Sequence, residues 1–166
     1  RAFLSLCRGD RLEKEKMEMK NRPTENADEE LLCELTRTAE MGVEAMCAVV
    51  PKAENRELRG QLKRQEDAYR RLSVKTENLI QEKELPLKHR SPLQKAMIRG
   101  GINMNTMMDR STSHLAELTL NGVTMGIISV TKSLHSLPHA DGRARRLAED
   151  FLSEEQKAVE RLKPFL

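Results

Sequence analysis

The chain has 166 residues, a net charge of +3 and 33% charged residues. Aromatics make up 2% of it, with one Tyr, three Phe and no Trp. A length of this order suits one domain. The near-balance of charge and the missing aromatics argue against nucleic acid, which asks for a basic footprint and stacking rings. No apolar run approaches the ~20 residues that cross a bilayer, so neither nucleic acid nor membrane is an expected partner and a cytoplasmic location is expected.

Residues 1–25 read as an extension outside the fold. The first residue is Arg, and the stretch is charged and aperiodic. It is expected to be disordered, or to lie partly upstream of a true translation start at Met17 or Met19. Residues 26–166 read as one helical domain, because Leu, Ala, Met, Glu, Lys and Arg dominate and strand formers are scarce.

The prolines at 23, 51, 86, 92, 138 and 164 punctuate that domain. Helix A is predicted over 27–50, capped by Asn26 or Asp28. Leu32, Leu35, Ala39, Gly42, Met46 and Val49 step along it by three and four, as a bundle seam does. Helix B is predicted over 53–84, with Leu58, Leu62, Gln65, Tyr69, Leu72, Thr76 and Leu79 on its seam.

After a link from 85 to 91, Ser91-Pro92 opens helix C. Gly100-Gly101 and the capping run Asp109 to Ser113 predict a break, leaving a short helix over 92–108 and a long one over 111–136. The long part carries two apolar stripes. One is Ala116, Leu120, Val123, Ile127, Val130 and Leu134; the other is Leu115, Leu118, Gly122, Met125 and Ser129. Two stripes imply burial on two sides, against the core and against the short helix or a second subunit. Gly122-x-x-x-Gly126 predicts close approach of a neighbour around Ala39 and Gly42. Helix D is predicted over 141–163, capped by Asp141, with Ala144, Ala148, Phe151, Glu155, Ala158, Leu162 and Phe165 on its seam. Four amphipathic segments with short connections predict an all-α antiparallel four-helix bundle.

Three of these seam positions hold the wrong chemistry for a core. Gln65 and Tyr69 lie on helix B, and Glu155 lies on helix D. A carboxyl in a core is costly unless bonded, paired or metal-bound. Either Glu155 sits at the seam's edge and reaches water or an Arg while Gln65 and Tyr69 satisfy each other, or the three line a polar pocket for an ion or small ligand.

Four helices with an inward acid on the last one resemble the ferritin-like superfamily. That resemblance implies a di-metal site of iron or manganese, held by a Glu on each of two helices and Glu-x-x-His on the other two. Carried over, its ligands would be Glu40, Glu66, Glu117 and Glu155. The sequence departs from the pattern: Tyr69 follows Glu66 and Ala158 follows Glu155 at the His positions, and His114-x-x-Glu117 runs in reversed order. The run Leu120-Asn121-Gly122-Val123-Thr124-Met125-Gly126 within 107–134, and the ending from Glu154 to Leu166, resemble an uncharacterised clostridial family of ferritin-like bundles without di-iron motifs. That likeness implies a bacterial bundle and transfers no activity.

Other motifs have plainer readings. Cys7, Cys33 and Cys47 show no metal spacing, and Cys33 and Cys47 lie about 21 Å apart along one helix, too far to bridge. The Met-rich middle, Met97, Met104, Met107, Met108 and Met125, reads as core. Lys63-Arg64, Arg70-Arg71 and Arg143 to Arg146 read as solvated faces, and Ser111-Thr112-Ser113-His114 as a cap. No catalytic motif or resident cofactor is expected. The expected role is non-enzymatic, through homo-oligomer formation or contact with a protein partner, with metal binding and small-ligand binding as the alternatives.

Overall fold

A computed structural model describes residues 23–86 and 109–166. Among them are four long α-helices: α1 (Pro23–Val49), α2 (Arg56–Glu82), α3 (Thr112–Ser136) and α4 (Gly142–Leu162). Single 3-10 turns follow α1 at Val50–Lys52 and α4 at Lys163–Phe165. The described residues are all-helical, with no strand among them. The short helix predicted over 92–108 and most of the extension before 26 lie outside the described residues.

The seams predicted for α2 and α4 are the buried faces. All seven seam residues of α2 are buried, joined by Ile80. On α4, Ala144, Ala148, Phe151, Glu155, Ala158 and Leu162 are buried, and Phe165 is half-buried. α1 contributes Leu31, Leu32, Leu35, Ala39, Met46 and Val49 to the same core. Each such Leu removed from water contributes about 1.5–3 kcal/mol. α1 touches α2, α3 and α4, and α4 touches α2 and α3.

Three of the buried threonines cost little here, because each bonds to the backbone one turn earlier. Thr36 donates to the Leu32 carbonyl at 2.9 Å, Thr76 to Leu72 at 3.0 Å and Thr119 to Leu115 at 2.8 Å.

The helix ends follow capping chemistry. Ser111 accepts the His114 amide at 3.2 Å and Asp141 accepts the Arg143 amide at 3.3 Å. Asn55 accepts from both Glu57 and Leu58 at 2.9 Å, so α2 opens at Arg56, three residues later than predicted. The expected cap of α1 needs correction. Pro23 to Glu25 are already helical, so Asn26 and Asp28 lie inside the helix. Proline is tolerated there because first-turn amides have no intrahelical partner.

Asp28 has a different task. Its Oδ1 accepts the Asp141 amide at 2.6 Å, and its Oδ2 lies 2.8 Å from Lys83 Nζ. Lys83 also reaches Asp141 Oδ2 at 2.7 Å. Partial burial draws the Lys83 pKa down, but its bonds to Asp141 and Asp28 outweigh that and hold it above the ordinary value. The bond from Lys83, with the Arg143 amide, holds Asp141 below its own. This cluster fastens the start of α1 to the end of α2 and the start of α4.

At the end of α2, Glu84 takes a left-handed conformation, φ 53°. The Leu85 amide bonds the Ile80 carbonyl at 3.0 Å and the Glu84 amide bonds Gln81 at 3.1 Å, the two bonds of a Schellman cap. Of the basic runs expected to be solvated, Arg145 departs. It is half-buried and donates to the Leu134 and Leu137 carbonyls at 3.2 and 3.1 Å, closing the end of α3.

Candidate functional site

Glu155 stands mid-helix on the buried face of α4 and is 1% exposed. Gln65 and Tyr69 stand one turn apart on the facing side of α2, so their side chains project together. The Tyr69 hydroxyl donates to Glu155 Oε2 at 2.8 Å, and the Gln65 amide donates to Oε1. The sequence brought these three to the same layer, but the edge-of-seam account of Glu155 is overturned. The acid is at the centre, and Gln65 and Tyr69, themselves in hydrogen-bond contact, both donate to it.

Both donors are neutral, and that sets the electrostatics. Burial raises the Glu155 pKa; the two donated bonds and the charge of Arg161 pull it back, leaving it at about 7. Burial, and then the adjoining Glu155 charge, hold the Tyr69 hydroxyl well above the ordinary tyrosine value.

Two glycines shape the layer. A Cβ on Gly42 would lie 2.4 Å from Cγ and Cδ2 of Tyr69. The bare α1 backbone is therefore the slot that receives the ring. A Cβ on Gly126 would meet Thr38 Cγ2 at 3.5 Å, Phe151 Cζ at 3.6 Å and Glu155 Oε2 at 4.0 Å. Gly126 thus packs ordinarily against Thr38 and brings α3 beside the carboxyl. A Cβ on Gly122 would meet nothing within 4 Å among the described residues. The close approach expected around Ala39 and Gly42 is made by Gly126, against Thr38 beside Ala39; Gly42 itself is filled by Tyr69, and Gly122 meets none of the described residues.

Gly122 lines a groove of about 510 Å³ between α1 and α3. From α1 it is lined by Met41, Ala45, Met46 and Val49; from α3 by Leu118, Gly122, Val123 and Met125; the Tyr69 ring contributes from below. The second stripe of α3 is the one that meets it. Leu115 at its head is fully buried, while Met125 is 67% exposed at the lip. Polar chemistry gathers at one end, where Glu34 pairs with Arg37 and Ser129 donates to Glu34. Sequence reading missed this end cluster and the slot at Gly42. The signal available was a glycine on an otherwise apolar seam.

The remaining predicted metal residues are not brought together. Glu66 sits on the flank of α2, where it takes Arg70 NH2 at 2.6 Å and lies 3.7 Å from Cys47 Sγ. Glu117 is exposed on α3 and Glu40 half-buried on α1. His114 turns a buried Nε2 with no hydrogen-bond partner among the described residues. Among those residues no group of three His, Cys, Asp or Glu side chains is placed to hold a metal ion. Cys33 and Cys47 are in no disulfide; burial, then Glu66, raises the Cys47 pKa, which lowers its reactivity. No described helix is long and apolar enough to cross a membrane.

Comparison with protein-family models, curated proteins and solved structures found no match to this chain.

Proposed function

We propose that this chain is a non-enzymatic binding protein, an antiparallel four-helix bundle of ferritin-like topology that holds a small, mostly apolar ligand between α1 and α3. The observation that carries the reading is the apolar groove of about 510 Å³ lying directly over the Tyr69–Glu155 layer. Ligand sites of this kind are concave and mostly apolar, with a few placed polar groups. The short links between α1 and α2 and between α3 and α4 favour antiparallel neighbours. Among the described residues Cys33 and Cys47 are in no disulfide, which suits a reducing, cytoplasmic setting.

The test is a binding screen read by Tyr69, the only tyrosine in a chain without tryptophan. Its fluorescence should change when an apolar ligand covers its ring. A panel of apolar ligands that leaves both the fluorescence and the native mass unchanged would refute the reading.

A second reading is self-association. It is favoured by three large apolar side chains at or near the groove's lips, Met41 (40% exposed), Met125 (67%) and Ile128 (43%). Light scattering that finds only monomer at high concentration would remove it. The di-metal reading has the weakest support, since Glu155 is the only one of Glu40, Glu66, Glu117 and Glu155 that is fully buried. The same separation argues against iron or manganese as a resident cofactor.

A further inference from the structure

We infer that the ligand is a single-chain amphiphile with an uncharged, hydrogen-bonding head, its chain lying along the groove and its head against Arg37, Glu34 and Ser129. This rests on the binding reading above and names the class of ligand.

The first argument is shape. The α1 wall runs from Glu34 to Val49, about 22 Å at the helical rise of ~1.5 Å per residue. A long, narrow trough suits an extended chain better than a compact ring system.

The second is the state of the polar atoms in the walls. The Tyr69 hydroxyl is committed to Glu155 at 2.8 Å, and the Thr119 hydroxyl to the Leu115 carbonyl at 2.8 Å. The Thr38 hydroxyl lies 3.5 Å from Glu34. These three are engaged within the protein; Asn121, on the exposed rim of α3, also lines the groove, so away from that rim the body of the ligand needs no polar atom. Burying an unmatched one would be costly.

The third is charge. Arg37 and Glu34 form an ion pair, and Arg37 NH2 also lies 3.4 Å from Ser129 Oγ. The cluster is neutral as a whole, yet offers both donors and acceptors at a half-solvated end, where the Arg37 side chain is 51% exposed. A carboxylate head would meet Glu34, and an ammonium head would meet Arg37. A hydroxyl or ester head satisfies the cluster without breaking the pair.

The experiment titrates the full chain with 1-monododecanoylglycerol, dodecanoate and dodecyltrimethylammonium, each below its micellar concentration. Tyr69 fluorescence and native mass are the readouts. The expected result is one equivalent of the glyceride bound, with both charged probes weaker by roughly tenfold or more. Gly122→Leu should abolish binding while the fold and thermal midpoint are kept, because the new side chain meets none of the described residues. Arg37→Ala should weaken the glyceride's advantage over the charged probes.

A charged probe binding as well as the glyceride overturns the head assignment and leaves the binding reading standing. Binding of no amphiphile overturns both. If Gly122→Leu instead converts a dimer to monomer, a second copy fills the groove and the proposal falls. It falls equally if no probe binds and Gly122→Leu raises hydrogen exchange in residues 87–108, which would assign the groove to the chain's own Met-rich segment.

Discussion

The interface of α2 with α4 and the interface of α1 with α3 solve the same problem in opposite ways. Between α2 and α4, single seams meet and close, and even the acid between them is satisfied at both oxygens. Between α1 and α3, the helices touch at Thr38 and Gly126 but stand apart along the second stripe of α3, leaving a groove. The difference lies in side-chain volume. Where Tyr69, Phe151 and Leu72 fill the space, a core results; where Gly122 and Ala45 stand, space remains. The closed side should therefore be intolerant of change and the open side permissive.

The sharpest way to break that comparison is Gly42→Val. The closest approach to Tyr69 is already 2.4 Å for a Cβ alone, and the ring is held by its bond to Glu155. Relief requires losing the ring position or the bond. We expect a loss of roughly 3 kcal/mol or more, combining overpacking with a broken buried network, read as a lowered urea midpoint. A midpoint unchanged from wild type would show that the slot is not tight.

Next is the pH dependence of the same layer. The Glu155 pKa is raised in the fold to about 7 from an ordinary value of 4.5. The folded state thus binds a proton more tightly than the unfolded chain. Its contribution is fully present below pH ~4.5, falls as pH rises through ~7, and then stays lost. The difference is on the order of 3 kcal/mol. Glu155→Gln removes the titration, and Gln65 can turn its amide oxygen toward the new donor. Stability measured at pH 5 and pH 8 should fall more steeply with pH in wild type than in the variant. Parallel profiles would mean that Glu155 keeps an ordinary pKa.

Tyr69→Phe is a smaller probe. It removes one of the two donors to Glu155 and keeps the ring in its slot. The expected cost is about 1–3 kcal/mol at pH 8, where the acid is charged, and less at pH 5. Equal costs at both pH values would show that the hydroxyl serves packing rather than the charge.

The sequence carried much of the closed side and little of the open one. The seams of α2 and α4 were legible residue by residue because each helix has one narrow apolar face, and such a face has one place to go. The layer of Gln65, Tyr69 and Glu155 was legible as polar residues on those seams. The place of its acid was misread, because pattern alone does not say that an acid from α4 stands between two donors of α2. Asp28 was misread as a cap because Pro23-Thr24-Glu25 offers no strong start signal, and its true partners, Lys83 and Asp141, lie far along the chain. The groove was the least legible part. Its width depends on which small residues face one another across helices distant in sequence, and only the second stripe of α3 hinted at it.

The mildest substitution sharpens the comparison from the open side. Gly122 is helical and exposed, and a Cβ there meets nothing within 4 Å among the described residues. Gly122→Ala should therefore gain helix propensity without a steric cost, roughly 0.5–1 kcal/mol of added stability. The same change at Gly42 gains the same propensity, but must push the Tyr69 ring aside. Thermal denaturation of both Ala variants sets the two sides against each other with one chemical change. A rise at 122 and a fall at 42 is the expected pair. A fall at both would mean that Gly122 is covered in the folded protein, and the groove would no longer be an open binding surface.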